Sequence, residues 1–105
     1  MKVKRRVYKW NGRYVFERTS TTGRVTAIEF KSKELAERML HLAETYIGKE
    51  AICKKGPTLT IRGKITNVGF LYERGDDEAP TEVFHIRDKD RHDTFMCKKD
   101  ACEIV

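Results

Sequence analysis

The sequence predicts an α+β fold. A basic three-stranded antiparallel sheet with one helix is expected over residues 1–48, then a small all-β domain, a barrel or curled sheet, over residues 49–105. Two observations carry this reading. Only residues 33–47 repeat their apolar side chains at helical spacing, while the rest breaks into short β-branched and aromatic runs closed by turn residues. The 105 residues also suffice for one domain, or for two very small ones packed as one unit.

The elements follow in order. Residues 3–10 read as a strand, and Asn11-Gly12 is a strong two-residue hairpin signal because both residues tolerate positive φ. Residues 13–18 return, residues 19–23 form a polar loop, and residues 24–30 make a third strand. Ser32 is placed to cap a helix, since its hydroxyl can accept a free amide of the first turn, and Glu34 suits the helix dipole. Leu35, Ala36, Met39, Leu40, Leu42, Ala43, Tyr46 and Ile47 form the apolar face of that helix, which Gly48 ends. The domain boundary is expected at Gly48-Lys49.

The second half reads as strands throughout. Residues 50–55 precede a Gly56-Pro57 turn, and residues 58–62 and 64–74 form a long strand bent at Gly63 or Gly69. Residues 75–80 are read as an acidic, mobile loop. Residues 81–87 alternate, with Val83 and His85 on one side and Phe84 and Ile86 on the other. Residues 88–93 read as a charged, solvated turn, and residues 94–97 and 101–105 as two short final strands.

Composition narrows the function classes. Apolar residues make up 39% and charged residues 36%, the latter well above the usual share of about 25%. No apolar run reaches the roughly 18 residues of a membrane span. No apolar stretch follows the basic residues 1–6, which argues against a signal peptide and for the cytoplasm. Three cysteines, an odd number, are expected as reduced thiols.

Charge is concentrated at the start of the chain. The first 24 residues hold eight Lys or Arg and one acid, Glu17, while the whole chain has a net charge of +6. The Asn11-Gly12 turn sets a register with Trp10 opposite Arg13, Tyr8 opposite Val15, and Arg6 opposite Glu17. One face then carries Val7, Tyr14 and Phe16, joined by Ile28 and Phe30, and is the better layer for the helix to cover. The other presents Lys4, Arg6, Tyr8, Trp10 and Arg13. Bases stack on exposed rings while Lys and Arg hold phosphates, so this face is a candidate nucleic-acid surface. The same residues also fit a second arrangement, in which Tyr8, Trp10 and Val15 pack on the second half with the basic heads at the rim.

Residues 7–47 resemble the amino-terminal arm-binding domain of phage and transposon integrases, itself similar to the plant ethylene-response-factor DNA-binding domain. Three short strands, Trp10 near the first turn, the Gly23-Arg24 turn and the Phe30-Lys31-Ser32-Lys33-Glu34-Leu35-Ala36-Glu37 helix opening carry the likeness. The resemblance implies a sheet that enters the DNA major groove, with Arg6, Tyr8, Trp10, Arg13 and Arg24 as contacts. It covers about two fifths of the chain, and no integrase catalytic domain follows. Residues 49–105 look like an SH3-like barrel, a fold that more often binds or scaffolds than catalyses.

Metal and catalytic signals are sparse. Cys97 and Cys102 are separated by four residues, and there is no Cys-x-x-Cys, so the thiols read as small buried hydrophobes and no metal or cofactor is expected. No Gly-x-Ser-x-Gly, phosphate-binding glycine loop or His-Glu-x-x-His is present, and an enzyme is not expected. The sequence thus points to a small nucleic-acid-binding accessory or regulatory protein of phage or mobile-element type, DNA being the expected partner. The alternative is a protein-interaction module that docks an acidic partner or host protein.

Overall fold

The structure is a computed structural model describing residues 2–72 and 80–105. The chain divides into two compact units, Met1–Glu44 and Thr45–Val105. The division falls within the helix, a few residues before the Gly48-Lys49 boundary read from sequence.

In the first unit, β1 (Lys4–Trp10), β2 (Arg13–Thr19) and β3 (Val25–Phe30) form an antiparallel sheet in that order. Asn11 and Gly12 have φ of +50° and +74°, the pair of left-handed residues that a hairpin turn matched to strand twist requires. The register follows from that turn: Trp10 faces Arg13, Tyr8 faces Val15, and Arg6 faces Glu17. The β2–β3 connection is closed by Ser20, whose amide donates to the Arg24 carbonyl at 2.8 Å and whose hydroxyl accepts the Arg24 amide at 3.0 Å. The helix α1 spans Lys33–Tyr46. Its cap is Ser32, whose Oγ accepts the Leu35 amide at 3.4 Å and donates to the Glu34 carboxylate at 2.6 Å. That second bond holds the Glu34 carboxyl below its ordinary value.

Ala36, Met39, Leu42 and Ala43 of α1 are buried, as are Val15, Phe16 and Phe30 of the sheet. The expected apolar layer is therefore present at Phe16 and Phe30. Ile28, read as part of it, is instead 47% exposed, and Phe30 is the only buried residue of β3. Val15 is buried although it lies on the opposite face of β2 from Phe16.

In the second unit, β4 (Glu50–Lys55), β5 (Leu59–Leu71), β6 (Thr81–Asp88), β7 (Thr94–Lys98) and β8 (Cys102–Ile104) form one antiparallel sheet in the order β7-β6-β5-β4-β8. A 3-10 turn, Lys99–Ala101, separates β7 from β8. Ala51, Cys53, Ile61, Ile65, Val68, Val83, Phe84, Ile86 and Cys97 are its buried apolar residues. Tyr46 stacks against Phe84 with ring centroids 4.9 Å apart. Lys55 of β4 donates to the Met96 carbonyl of β7 at 2.7 Å.

Three features of this unit differ from the sequence reading. The irregularity in β5 lies at neither glycine but between Ile65 and Asn67, where Thr66 is the extra residue of a β-bulge. It lets Ile65 pair with Ile86 and Val68 with Phe84, keeping both apolar residues inward although their spacing is odd. Gly63 is instead a point of close approach: a Cβ there would lie 1.7 Å from the Arg87 carbonyl oxygen. The expected solvated turn at residues 88–93 is organised by a buried group, since Asp88 ends β6 and is only 2% exposed. The acidic loop expected at residues 75–80 lies outside the described residues up to residue 79.

Asp88 is satisfied from several directions. Its Oδ1 accepts the amides of Asp90 at 2.9 Å and Arg91 at 2.8 Å. Its Oδ2 accepts the Arg91 guanidinium at 3.0 Å and, at 3.4 Å, the Arg62 amide. Burial pushes the carboxyl up, but the amides of Arg91, Asp90 and Arg62 and the Arg91 charge outweigh it, and the net position is below the ordinary value. The neighbouring Lys89 pairs with Glu50 at 2.7 Å.

Candidate nucleic-acid interface

The antiparallel register sorts the side chains of the first unit into cross-strand rows on two faces. On the face proposed from sequence, the rows are Lys4–Thr19–Val25, Arg6–Glu17–Ala27, Tyr8–Val15–Glu29 and Trp10–Arg13. Trp10 is 58% exposed, at the end of β1 beside the Asn11-Gly12 turn. Lys4, Arg6 and Arg13 are also exposed, while Tyr8 is half-buried. Arg24 is exposed in the loop that Ser20 closes.

Two of the arginines have acidic partners. Arg6 is hydrogen-bonded to Glu17 across the strands, and its guanidinium lies 4.6 Å from the Tyr8 ring centroid. Arg13 lies 3.9 Å from the Glu29 carboxylate of β3. Three basic residues on this face thus meet two acids. Glu29 was absent from the sequence-based site because it enters only through the β2–β3 pairing.

The opposite face has a different balance. Its rows are Arg5–Arg18–Thr26, Val7–Phe16–Ile28 and Lys9–Tyr14–Phe30, with three basic residues and no acid. Lys9 lies over the Tyr14 ring at 5.7 Å. Arg5 and Arg18 stand directly opposite one another, an arrangement of like charges that opposes pairing. The Arg5 Nε is buried and makes no hydrogen bond. A shallow hollow of about 630 Å³ runs past Lys4, Arg5 and Arg6, with Glu17 and Glu44 also on its wall. Position in the chain alone did not single out Arg18, whose signal is the register.

The described residues include no group of three or more His, Cys, Asp or Glu arranged to hold a metal ion. None of their helices is long and apolar enough to cross a membrane. No protein-family model, curated protein or solved structure matches this chain.

Proposed function

We propose that the chain is a small nucleic-acid-binding protein that holds DNA against the three-stranded sheet, with a role as an accessory or regulatory factor. The observation that carries this reading is the exposure of Trp10 on the β1–β2 hairpin, which also bears the exposed Lys4, Arg6 and Arg13. A buried Trp10 would have removed the stacking platform. Tyr8 and Trp10 supply ring faces for bases. Lys4 and Arg24, for which the described residues show no acidic partner, supply phosphate contacts directly, while Arg6 and Arg13 must first exchange Glu17 and Glu29 for phosphate.

A second reading, docking of a protein partner, is favoured by one observation. The ion pairs on the Trp10 face leave it with mixed charge, which suits a mixed-charge protein surface as well as a polyanion. The second unit supports that reading through its topology, which we take as SH3-like. Four strands run as a meander, a 3-10 turn follows, and the last strand returns to pair with the first. The bond from Lys55 on β4 to Met96 on β7 spans strands three places apart in the sheet, which favours a curled sheet over a flat one.

Fluorescence anisotropy with labelled duplex and single-stranded DNA tests the first reading. Contact by Lys4, Arg6, Arg13 and Arg24 predicts a slope of log K against log salt of about −3 to −4, with quenching of Trp10. Absence of binding at about 50 mM salt removes the nucleic-acid reading and leaves the protein partner. Capture of one stoichiometric protein that survives nuclease treatment would favour the second.

A further inference from the structure

The three cysteines, distant in sequence, are brought together in the second unit. Cys53 is on β4, Cys97 on β7 and Cys102 at the start of β8. Cys53 and Cys97 are buried and Cys102 is half-buried. Each thiol lies within interaction reach of the other two. The Cys102 thiol also donates to the Lys98 carbonyl at 3.3 Å. Cys53 and Cys97 line an open cavity of about 280 Å³, together with Met96, Val83, Leu71 and Lys55.

The β4–β8 register decides which pair can bond. Cys53 stands directly opposite Cys102, two residues along from the pair Ala51 and Ile104. One step further, the Val105 amide donates to the Glu50 carbonyl at 3.0 Å, which marks a hydrogen-bonded position of the ladder. Hydrogen-bonded and non-hydrogen-bonded pairs alternate, so Cys53 and Cys102 occupy a non-hydrogen-bonded pair. Such pairs have Cα atoms about 4.5 Å apart, inside the range of roughly 4.4–6.8 Å that a disulfide spans. Their Cβ atoms lean toward each other on one face of the sheet.

We propose that Cys53 and Cys102 are a peroxide-responsive thiol pair that closes into a reversible cross-strand disulfide, tying β8 to β4. The half-buried Cys102 reacts first with hydrogen peroxide. Its thiolate attacks one oxygen, the O–O bond breaks, and the departing hydroxide leaves as water with the proton that the thiol gave up. Cys102 is then a sulfenic acid. The Cys53 sulfur attacks the Cys102 sulfur, the S–S bond forms, the S–O bond breaks, and a second water carries off the hydroxyl and the Cys53 proton. Two thiols lose two electrons in all, and one peroxide gains them. Cys97, in reach of both sulfurs, is the third thiol: by exchange it can open the bridge and release one partner.

The reaction is slow at neutral pH. Burial, and then the hydrogen bond and charge of Cys53, push the Cys102 thiol up to about 12. The thiolate is the reactive form, so the rate rises close to tenfold for each pH unit through neutrality.

The full chain is treated with hydrogen peroxide and digested without reductant, and the products are read by mass spectrometry. The expected product has lost two hydrogens and yields a Cys53–Cys102 linked peptide, which dithiothreitol cleaves. The near-isosteric Cys102→Ser removes that product, while Cys97→Ser retains it and slows its rearrangement. Circular dichroism of each variant confirms that it folds. A bridge from Cys97 as the main product, sulfinic or sulfonic acid at Cys102, or three thiols unchanged at alkaline pH would overturn the proposal.

Discussion

The two units differ in whether they bury a charge. In Met1–Glu44 the ion pairs lie on the outside of a sheet: Arg6 with Glu17, Arg13 with Glu29. Among the described residues of Thr45–Val105, which also carry the surface pair Lys89–Glu50, one carboxylate, Asp88, is buried and collects three backbone amides and a guanidinium. The first arrangement leaves the basic partner of each pair open to water, so each pair adds little stability and both arginines stay available to a ligand. The second removes that alternative, so the charge fixes a turn and is unavailable to anything outside. A basic segment is therefore a candidate for recognition because its charges are structurally cheap, and the charged segment at residues 88–93 is not, because Asp88 holds its backbone together.

The largest expected effect comes from Gly63→Ala. A Cβ 1.7 Å from the Arg87 carbonyl oxygen forces β5 and β6 apart, so a loss of more than about 4 kcal/mol is expected in denaturant titrations followed by far-UV circular dichroism. Trp10 is the only tryptophan and lies in the first unit. Its emission should stay native-like in that variant if the two units are ordered independently, and a shift to the unfolded spectrum would break the contrast.

Next comes Asp88→Ala, which leaves the amides of Asp90 and Arg91 without their acceptor. The thermal midpoint should fall by several degrees, with Asp88→Asn recovering part of the loss by keeping an oxygen in place. An unchanged midpoint would mean that the turn orders itself without the carboxylate.

Acid should act in the same direction. The carboxyls of Asp88 and Glu50 both sit below their ordinary values when folded, Glu50 through its bond to Lys89 and then that charge. The unfolded chain therefore takes up these protons first as pH falls. The stability they confer is complete above about pH 5 and is lost progressively below the unfolded value near 4, which an acid titration followed by circular dichroism would show.

The smallest effect is expected at the Arg13–Glu29 pair. Both side chains are half exposed at 3.9 Å, so a double-mutant cycle should return a coupling below about 0.5 kcal/mol. A larger value would place this pair with Asp88 as a structural device. In that case Arg13 would no longer be free for phosphate.

Local pairing was legible in the sequence, and pairing across the chain was not. Asn11-Gly12 specifies both the turn and the register of β1 on β2 because two residues fix the geometry of the strands they join. Ser32, Gly48 and the apolar repeat between them likewise define α1. The β5 bulge left a trace that could have been read: Ile61 and Ile65 are at odd positions and Val68 is at an even one, so the inward parity must switch between them. Glu29 beside Arg13, and Cys53 beside Cys102, left none. Those contacts depend on strand pairs whose register no tight turn dictates. Asp88 escaped for another reason: a buried carboxylate and a solvated one have the same sequence neighbours, and the Arg62 amide that distinguishes them comes from β5.

The placement of β8 beside β4 also bears on the order in which a ribosome releases this chain. The pairs of the first sheet lie within 30 residues and can close as soon as β3 emerges. β4 is made early but pairs on one side with residues 102–104. Until those residues appear, Ala51 to Cys53 present an unsatisfied strand edge, the kind of surface to which another nascent chain can add itself. The second sheet is thus completed only when its last strand is made, whereas the first is completed as soon as β3 emerges.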